Sequence, residues 1–365
     1  VSIYYNINDY KMKYFSKEYF IQSLCELKNY EIYNYYDEEY KFIFNESEEN
    51  KKKYKEILNK LKLTPQLIQK TKEWYEFRRS ALTASNITKI IQGTNLNNII
   101  LDKCGVESKF ISGDAILHGV KYEDVAIKIY ELRTSKKVYE FGCIRHPTIN
   151  FLAASPDGID EDGTMIEIKC VYSRKLTGVP KKVYYDQMQL QLEVCNLNKC
   201  IFLECDIKEY QHFEDYKNDC FKSKEGDIDE TKTKMGLEKG VIFRLIKRDN
   251  TIEYRYAPIN LNNKEIKKWV KKQYKLFKKE DPDYVKYSSY EPLYWYLNDY
   301  SCIPIYRNYN WITNHFKSFY EFWSKINYYK KNERYKTLIK SPKKKVSFYN
   351  NNDTCCLIDS DSDSD

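Results

Sequence analysis

Residues 155–169 read SPDGIDEDGTMIEIK, with Asp157 followed ten positions later by Glu167 and then by Lys169. The Asp162–Gly163 pair predicts a tight turn joining two strands. Side chains alternate along a strand, so Glu167 and Lys169 share one face while Ile166 and Ile168 point to the other, apolar one. A hairpin returning from Asp157 brings a second carboxylate beside that pair. Two partly buried carboxylates repel unless a proton or a cation intervenes, and a divalent ion satisfies both. Hard oxygen ligands suit Mg²⁺, which also binds substrate phosphate. In that reading Lys169 orients the nucleophile or stabilises charge on the phosphate. Spacing alone leaves open an ordinary hairpin with a surface Glu–Lys pair.

Three other segments add candidate polar groups. In GVKYEDVA (119–126) Glu123 is expected on the same helical face as Ala126, Ile127 and Tyr130, where a carboxylate needs a partner, a metal or a salt bridge. In YYDQMQLQLEV, Gln187 and Gln191 lie one helical turn apart and project two amides from one face, toward phosphates or base edges or simply toward solvent. In WYEFRRSALTAS (74–85), Arg78 precedes Thr83 and Ser85, which are candidate helix caps. An arginine beside a helix start can receive a phosphate, and Trp74 either stacks on a base or joins the core. His118 is read as structural rather than as a ligand.

The remaining sequence sets the frame. With 365 residues and 42% hydrophobic content the chain can fill a sizeable core, which excludes a wholly disordered protein. The net charge of +8 is compatible with a polyanionic partner. Eleven irregularly spaced cysteines fit reduced thiols in an intracellular compartment better than a disulfide framework. A membrane span and a secretory leader are not expected. The expected organisation is a helical extension over 1–70, a mixed α/β core over 71–280, a separate, mainly helical aromatic-rich appendage over 281–340, and a disordered basic-then-acidic tail over 341–365. Within the core, a strand pair is expected near 241–256 and an amphipathic closing helix between Asn262 and Glu280.

Taken in order, WYEFRRSALTAS, GVKYEDVA, SPDG, EIKC and QMQLQ resemble the lambda exonuclease, YqaJ-type viral recombinase family of the PD-(D/E)xK nuclease superfamily. The resemblance implies a restriction-endonuclease-like α/β core, a central mixed sheet flanked by helices, with helical extensions at either end. It implies a deoxyribonuclease that needs Mg²⁺, with Mn²⁺ as a substitute, and digests one strand of linear double-stranded DNA from its 5′ end. By this likeness Asp157, Glu167, Glu123 and the Ile168 backbone carbonyl serve the metal, Lys169 the nucleophile, and Gln187 supports the site. Arg78 and Ser85 then meet a terminal 5′ phosphate, with Trp74, Thr83 and Gln191 as further DNA contacts. Partners implied are DNA ends, a single-strand annealing protein and two further copies in a trimeric ring. Cys195, Cys200 and Cys205 are read as buried thiols, with no iron–sulfur cluster. The alternatives are a structure-specific endonuclease of the same superfamily or a non-catalytic DNA-binding virion or replication protein. The family, with 36 tyrosines and many Lys, Asn and Ile that resemble the codon bias of an AT-rich genome, and with the acidic tail, points to a large DNA virus acting in host cytoplasm or virion, with the nucleus left open by SPKKK.

Overall fold

The computed structural model describes residues 48–69, 71–106, 113–281 and 287–339. Helix α1 (Glu48–Leu63) precedes α2 (Lys72–Arg79), β1 (Leu82–Thr83), a 3-10 turn (Ala84–Asn86), α3 (Ile87–Gln92), α4 (Leu96–Lys103) and α5 (Asp114–Thr134). Strands β2 (Val138–Tyr139), β3 (Ile144–Arg145), β4 (Leu152–Ala154), β5 (Gly158–Asp160) and β6 (Met165–Cys170) lead to α6 (Lys182–Cys195) and β7 (Lys199–Glu209). Then follow α7 (Phe213–Asn218), the hairpin of β8 (Phe221–Lys222) and β9 (Ile228–Asp229), β10 (Lys239–Lys247), β11 (Ile252–Tyr256) and α8 (Asn263–Glu280). The chain continues with β12 (Tyr287–Tyr306), α9 (Tyr309–Lys331) and a 3-10 turn (Arg334–Leu338).

The expected hairpin forms. Strand β5 pairs antiparallel with β6, and the reversal between them is closed by Asp160 N–H to the Thr164 carbonyl at 2.8 Å and Gly163 N–H to the Asp160 carbonyl at 2.9 Å. Gly163 has φ +81°, and a Cβ there would stand 2.7 Å from the Tyr54 side chain of α1, so the turn needs glycine for conformation and for space. Tyr54 and Leu58 are buried and Ile57 and Leu61 pack beside them, residues at helical spacing that form one apolar face.

Seven strands form a mixed sheet in the order β11-β10-β12-β7-β6-β5-β2. Strands β6 and β7 run parallel, joined through α6, and most other neighbours are antiparallel. Helix α5 covers one face with Tyr122, Val125, Ala126 and Ile129, against Ile166, Ile168, Ile201 and Leu203. On the other face α6, α9 and α1 bury Met188, Leu190, Phe202 and Ile305, and α8 buries Ile266, Val270 and Phe277 against Val241, Phe243 and Leu245. The α/β expectation of a central mixed sheet flanked by helices holds. The strand pair expected near 241–256 is β10 with β11, and the closing helix is α8, capped by Asn262.

The reading of 281–340 as a separate, mainly helical appendage is corrected. Twenty of those residues form β12, in the middle of the sheet. Its first half pairs with β10, from Tyr287 opposite Lys247 to Tyr296 opposite Lys239. Its second half pairs with β7, from Trp295 opposite Glu209 to Tyr306 opposite Lys199, with a register shift between Leu297 and Asp299. Pro292 and Pro304 each lie where β12 has a ladder partner on one side, the setting in which a strand tolerates a residue without an N–H. Helix α9 also belongs to the main core, through Trp311, Phe319, Phe322 and Ile326. The tail at 341–365 and the extension before 48 lie outside the described residues. Among the described residues no helix is long and apolar enough to cross a membrane.

Candidate active site

Alternation along β6 sends Ile166 and Ile168 into the layer under α5 and turns Glu167 to the opposite face, where its side chain is wholly buried. A carboxylate removed from water needs donors on both oxygens. Lys169, two residues on and on the same face, donates from Nζ to Oε1. Gln187 Nε2 donates to Oε1 and Gln191 Nε2 to Oε2, each at 2.7 Å. The two amides of α6, one turn apart, thus meet one carboxylate. Gln191 is fully buried and also donates to the Ser155 carbonyl at 3.2 Å, so its expected contact with DNA is corrected: it positions Glu167 instead.

Asp157 sits where the chain leaves β4, which belongs to a small three-stranded sheet, and enters β5 of the large one. Its Oδ2 accepts the Ile168 N–H at 2.7 Å. Burial pushes the Asp157 carboxyl well above its ordinary value, and repulsion from Glu167 adds to this, with Lys169 opposing and Glu123 reinforcing. Burial would lower the Lys169 ammonium, but the charges of Glu167 and Asp157 outweigh it and hold the group above the usual lysine value. Lys169 also stands 5.1 Å from the Tyr184 ring centroid. The hairpin therefore concentrates negative charge that a single ammonium answers.

Beside this cluster, Arg78 in the last turn of α2 donates from one guanidinium nitrogen to Ser155 Oγ and from another to Ser85 Oγ, both at 3.3 Å. Its guanidinium lies 4.5 Å from the Trp74 ring. Trp74 and Phe77 pack on Ala81, Cys143 and Ala153, so Trp74 is a support for Arg78, with its indole N–H buried. Thr83 is 1% exposed, which corrects its expected phosphate contact. The capping role expected of Thr83 and Ser85 is also corrected. Neither Thr83 nor Asn86, the residues preceding the 3-10 turn and α3, makes a side-chain cap, and the Thr83 and Ser85 hydroxyls meet each other at 3.3 Å.

Glu123 is exposed on the flank of α5, which corrects its placement on the apolar face; that face is formed by Tyr122, Val125, Ala126 and Ile129. Its charge still reaches Asp157 and Cys170. His118 is buried against Tyr122 and Tyr172. Cys195, Cys200 and Cys205 are separately buried, and desolvation raises all three thiols, Cys195 to about 12. Sequence reasoning missed Ser155, whose hydroxyl and carbonyl join Arg78 to Gln191, although it begins the SPDG signal itself. It also missed Lys103, 2% exposed, whose Nζ donates to the Arg78 carbonyl at 2.9 Å and anchors the end of α2. Glu204, paired in register with Lys169 and bonded to Arg174, is a third omission that only strand pairing reveals.

Among the described residues no three His, Cys, Asp or Glu side chains form a ready metal cage. Mg²⁺ nevertheless takes as few as one or two protein carboxylates and keeps its waters. The hard oxygens of Asp157 and Glu167, with their excess negative charge, fit that demand.

Residues 73–198, which contain every residue of this cluster and Arg78, match the YqaJ-like viral recombinase domain. An uncharacterized protein of Acanthamoeba polyphaga mimivirus is 29% identical over 306 residues, 75% of this chain and 55% of that protein. The chain spans about half the length of this curated relative. Two crystal structures of the alkaline exonuclease LHK-Exo from Laribacter hongkongensis, one in complex with dAMP, are similar at 19% and 20% identity. Each match covers 73% of this chain and 98% of the other, with a TM-score of 0.43. A phage-related exonuclease from Haemophilus somnus is similar at 11% identity over 70% of this chain and 96% of its own, with a TM-score of 0.37.

Proposed function

We propose that the chain is a Mg²⁺-dependent deoxyribonuclease that hydrolyses phosphodiester bonds of linear duplex DNA from an end, in the 5′ to 3′ direction. The observation that carries this reading is the buried Glu167 carboxylate, gripped by Lys169, Gln187 and Gln191 beside the raised carboxyl of Asp157. Asp157 and Glu167 are the residues that would hold the ion. Once bound, Mg²⁺ supplies an activated water and polarises the phosphoryl oxygen.

The chain's own groups do the rest. Lys169 keeps a full positive charge at neutral pH and sits on the exposed side of Glu167, where it stabilises charge developing on the phosphate. Gln187 and Gln191 fix the Glu167 plane, so little reorganisation is needed when substrate arrives. Arg78, held between Ser85 and Ser155 and backed by Trp74, offers a guanidinium and two hydroxyls to a terminal 5′ phosphate. Glu123 lends its charge from α5, either as a direct ligand or through water. The family domain, which spans all these positions, supports the same reading.

Linear duplex carrying either 5′ phosphate or 5′ hydroxyl, compared with closed circular DNA in Mg²⁺ or in EDTA, tests it. Loss of linear DNA alone, only with Mg²⁺ and faster with the 5′ phosphate, is the expected result. Cutting of circles would replace the end-dependent reading with an endonuclease. Binding without cleavage under any divalent metal would leave a DNA-binding protein.

A further inference from the structure

Helix α8 carries lysines at 264, 267, 268, 271, 272, 275, 278 and 279, and two acids, Glu265 and Glu280. Both acids are engaged: Glu265 closes the capping box with Asn262, and Glu280 pairs with Arg255. An ordinary solvated helix face interleaves acids and bases at i, i+4. Here Lys264, Lys267, Lys268 and Lys271 are exposed and make no ion pair with any described residue. They line a concavity of about 480 Å³ together with Lys217 of α7, Asn263 and a single carboxylate, Glu230. Glu230 is itself turned inward to accept the Asn263 N–H at 3.0 Å. Lys217 pairs with Glu214 at 3.3 Å and Lys267 lies 4.9 Å from the Phe213 ring centroid, but the four lysines of α8 have no carboxylate partner among the described residues, so the hollow keeps a positive excess that suits an anion.

Its shape narrows the class of anion. Lys264, Lys268, Lys271, Lys275 and Lys278 follow one side of the helix, a ridge about 21 Å long at the α-helical rise. That length matches about six successive phosphates of one duplex strand along the axis. A small anion would fill only the hollow and leave the rest of the ridge without a partner. Register ties the ridge to the site. Val241, Phe243 and Leu245, which α8 covers, lie on the same sheet face as Phe202, the register partner of Glu167.

We propose that the lysine ridge of α8, with the hollow at its start, is a second nucleic-acid surface that holds the phosphate backbone of the duplex away from the reacting end. The choice of DNA as the occupant rests on the nuclease reading above. The ridge contributes grip and retention, without chemistry.

The test uses the full chain with Lys264, Lys267, Lys268 and Lys271 all changed to Gln, alongside the same four changed to Arg. Anisotropy of a long labelled duplex, measured over a salt series in EDTA, reads the surface without turnover. The Gln protein is expected to bind on the order of tenfold or more weakly, with the log–log salt slope reduced by about three to four, and the Arg protein to bind as wild type. In Mg²⁺, the Gln protein should digest a short duplex at the wild-type rate and release a long one early. Unfolding curves identical to wild type confirm that the exposed substitutions leave the fold intact. Unchanged affinity and salt slope would overturn the proposal, as would loss of binding to a polyglutamate peptide with duplex binding kept. Ridge-dependent binding by a wild-type protein that never cleaves would sink the nuclease reading and keep the surface; a cleaving protein whose affinity, salt slope and hold on a long duplex are unchanged by neutralising the ridge would do the reverse.

Discussion

The hairpin of residues 155–170 and the strand β12 lie in one sheet, separated by β7, yet they are specified in different ways. In the hairpin every decisive relation is local: the turn at Gly163, the two-residue spacing of Glu167 and Lys169, and the alternation that opposes them to Ile166 and Ile168. In β12 the decisive relations are distant. Its first half belongs to β10 and its second half to β7, and only residues near Trp295 and Tyr296 pair on both sides. The difference teaches that chemistry here is written locally, while the frame holding it is completed by a segment more than a hundred residues away.

This contrast can be broken or sharpened at several points. Ending the chain after Asp281 removes β12 and α9, uncovers β7 and β10 and exposes the partners of Trp295, Leu297, Phe319 and Phe322. No cooperative unfolding transition should remain, and a folded, active fragment would show that β12 is dispensable. Glu167→Gln should lower cleavage by about a thousandfold in single-turnover assays, with a smaller loss of stability because its amide nitrogen meets the donors of Lys169, Gln187 or Gln191, the protein still unfolding cooperatively. Trp295→Ala should do the opposite. Trp295 is 2% exposed and lies flat on Gly240, where an added Cβ would come within 2.7 Å of its ring. Its loss should cost about 3–5 kcal/mol in denaturant unfolding, with activity per folded molecule within a few-fold of wild type.

The smallest effect lies where the two regions meet on α6. While Gln187 and Gln191 of this helix hold Glu167, Gln189 donates to the Tyr306 carbonyl at 2.9 Å and Glu193 binds Arg307 just beyond β12. Hydrogen bonding from His146, then from Arg307, holds the Glu193 carboxyl below the usual glutamate range. The native state therefore takes up this proton at lower pH than the unfolded chain does. Its stabilising contribution is present above about pH 4.3, the ordinary glutamate value, and disappears as pH falls through the lower native value. Glu193→Gln should flatten that part of the stability–pH curve, measured by denaturant midpoints. An unchanged curve would remove the acid-sensitive tie between α6 and the end of β12.

How much of this was readable in the sequence follows from the same contrast. Asp157, Glu167 and Lys169 were legible because turn chemistry and strand period act over a few residues. Gln187 was assigned its supporting place by likeness, and the helical spacing that put Gln191 on the same face could not say whether that face met solvent or a buried carboxylate. Thr83 was misjudged for the same reason, since polarity does not reveal burial, whereas Trp74, left open between base and core, is half-buried on Ala81, Cys143 and Ala153. Glu123 was placed on the apolar face by its neighbours at three, four and seven positions, but the face that packs is centred one residue away, on Tyr122. Strand β12 was hidden because two prolines argue against a central strand, and because half-buried tyrosines on it blur the alternation of apolar and polar residues. Its one-sided pairing around each proline resolves the conflict.

The central claim is that the Glu167–Lys169 cluster cleaves DNA. The most direct measurement is nucleotide release from 5′-labelled linear duplex in Mg²⁺ by wild-type protein and by Lys169→Ala, with unfolding curves recorded for both. Release by the wild type alone, from two proteins that unfold cooperatively, is the predicted result. Equal release by the folded variant would contradict the assignment of the chemistry to this cluster.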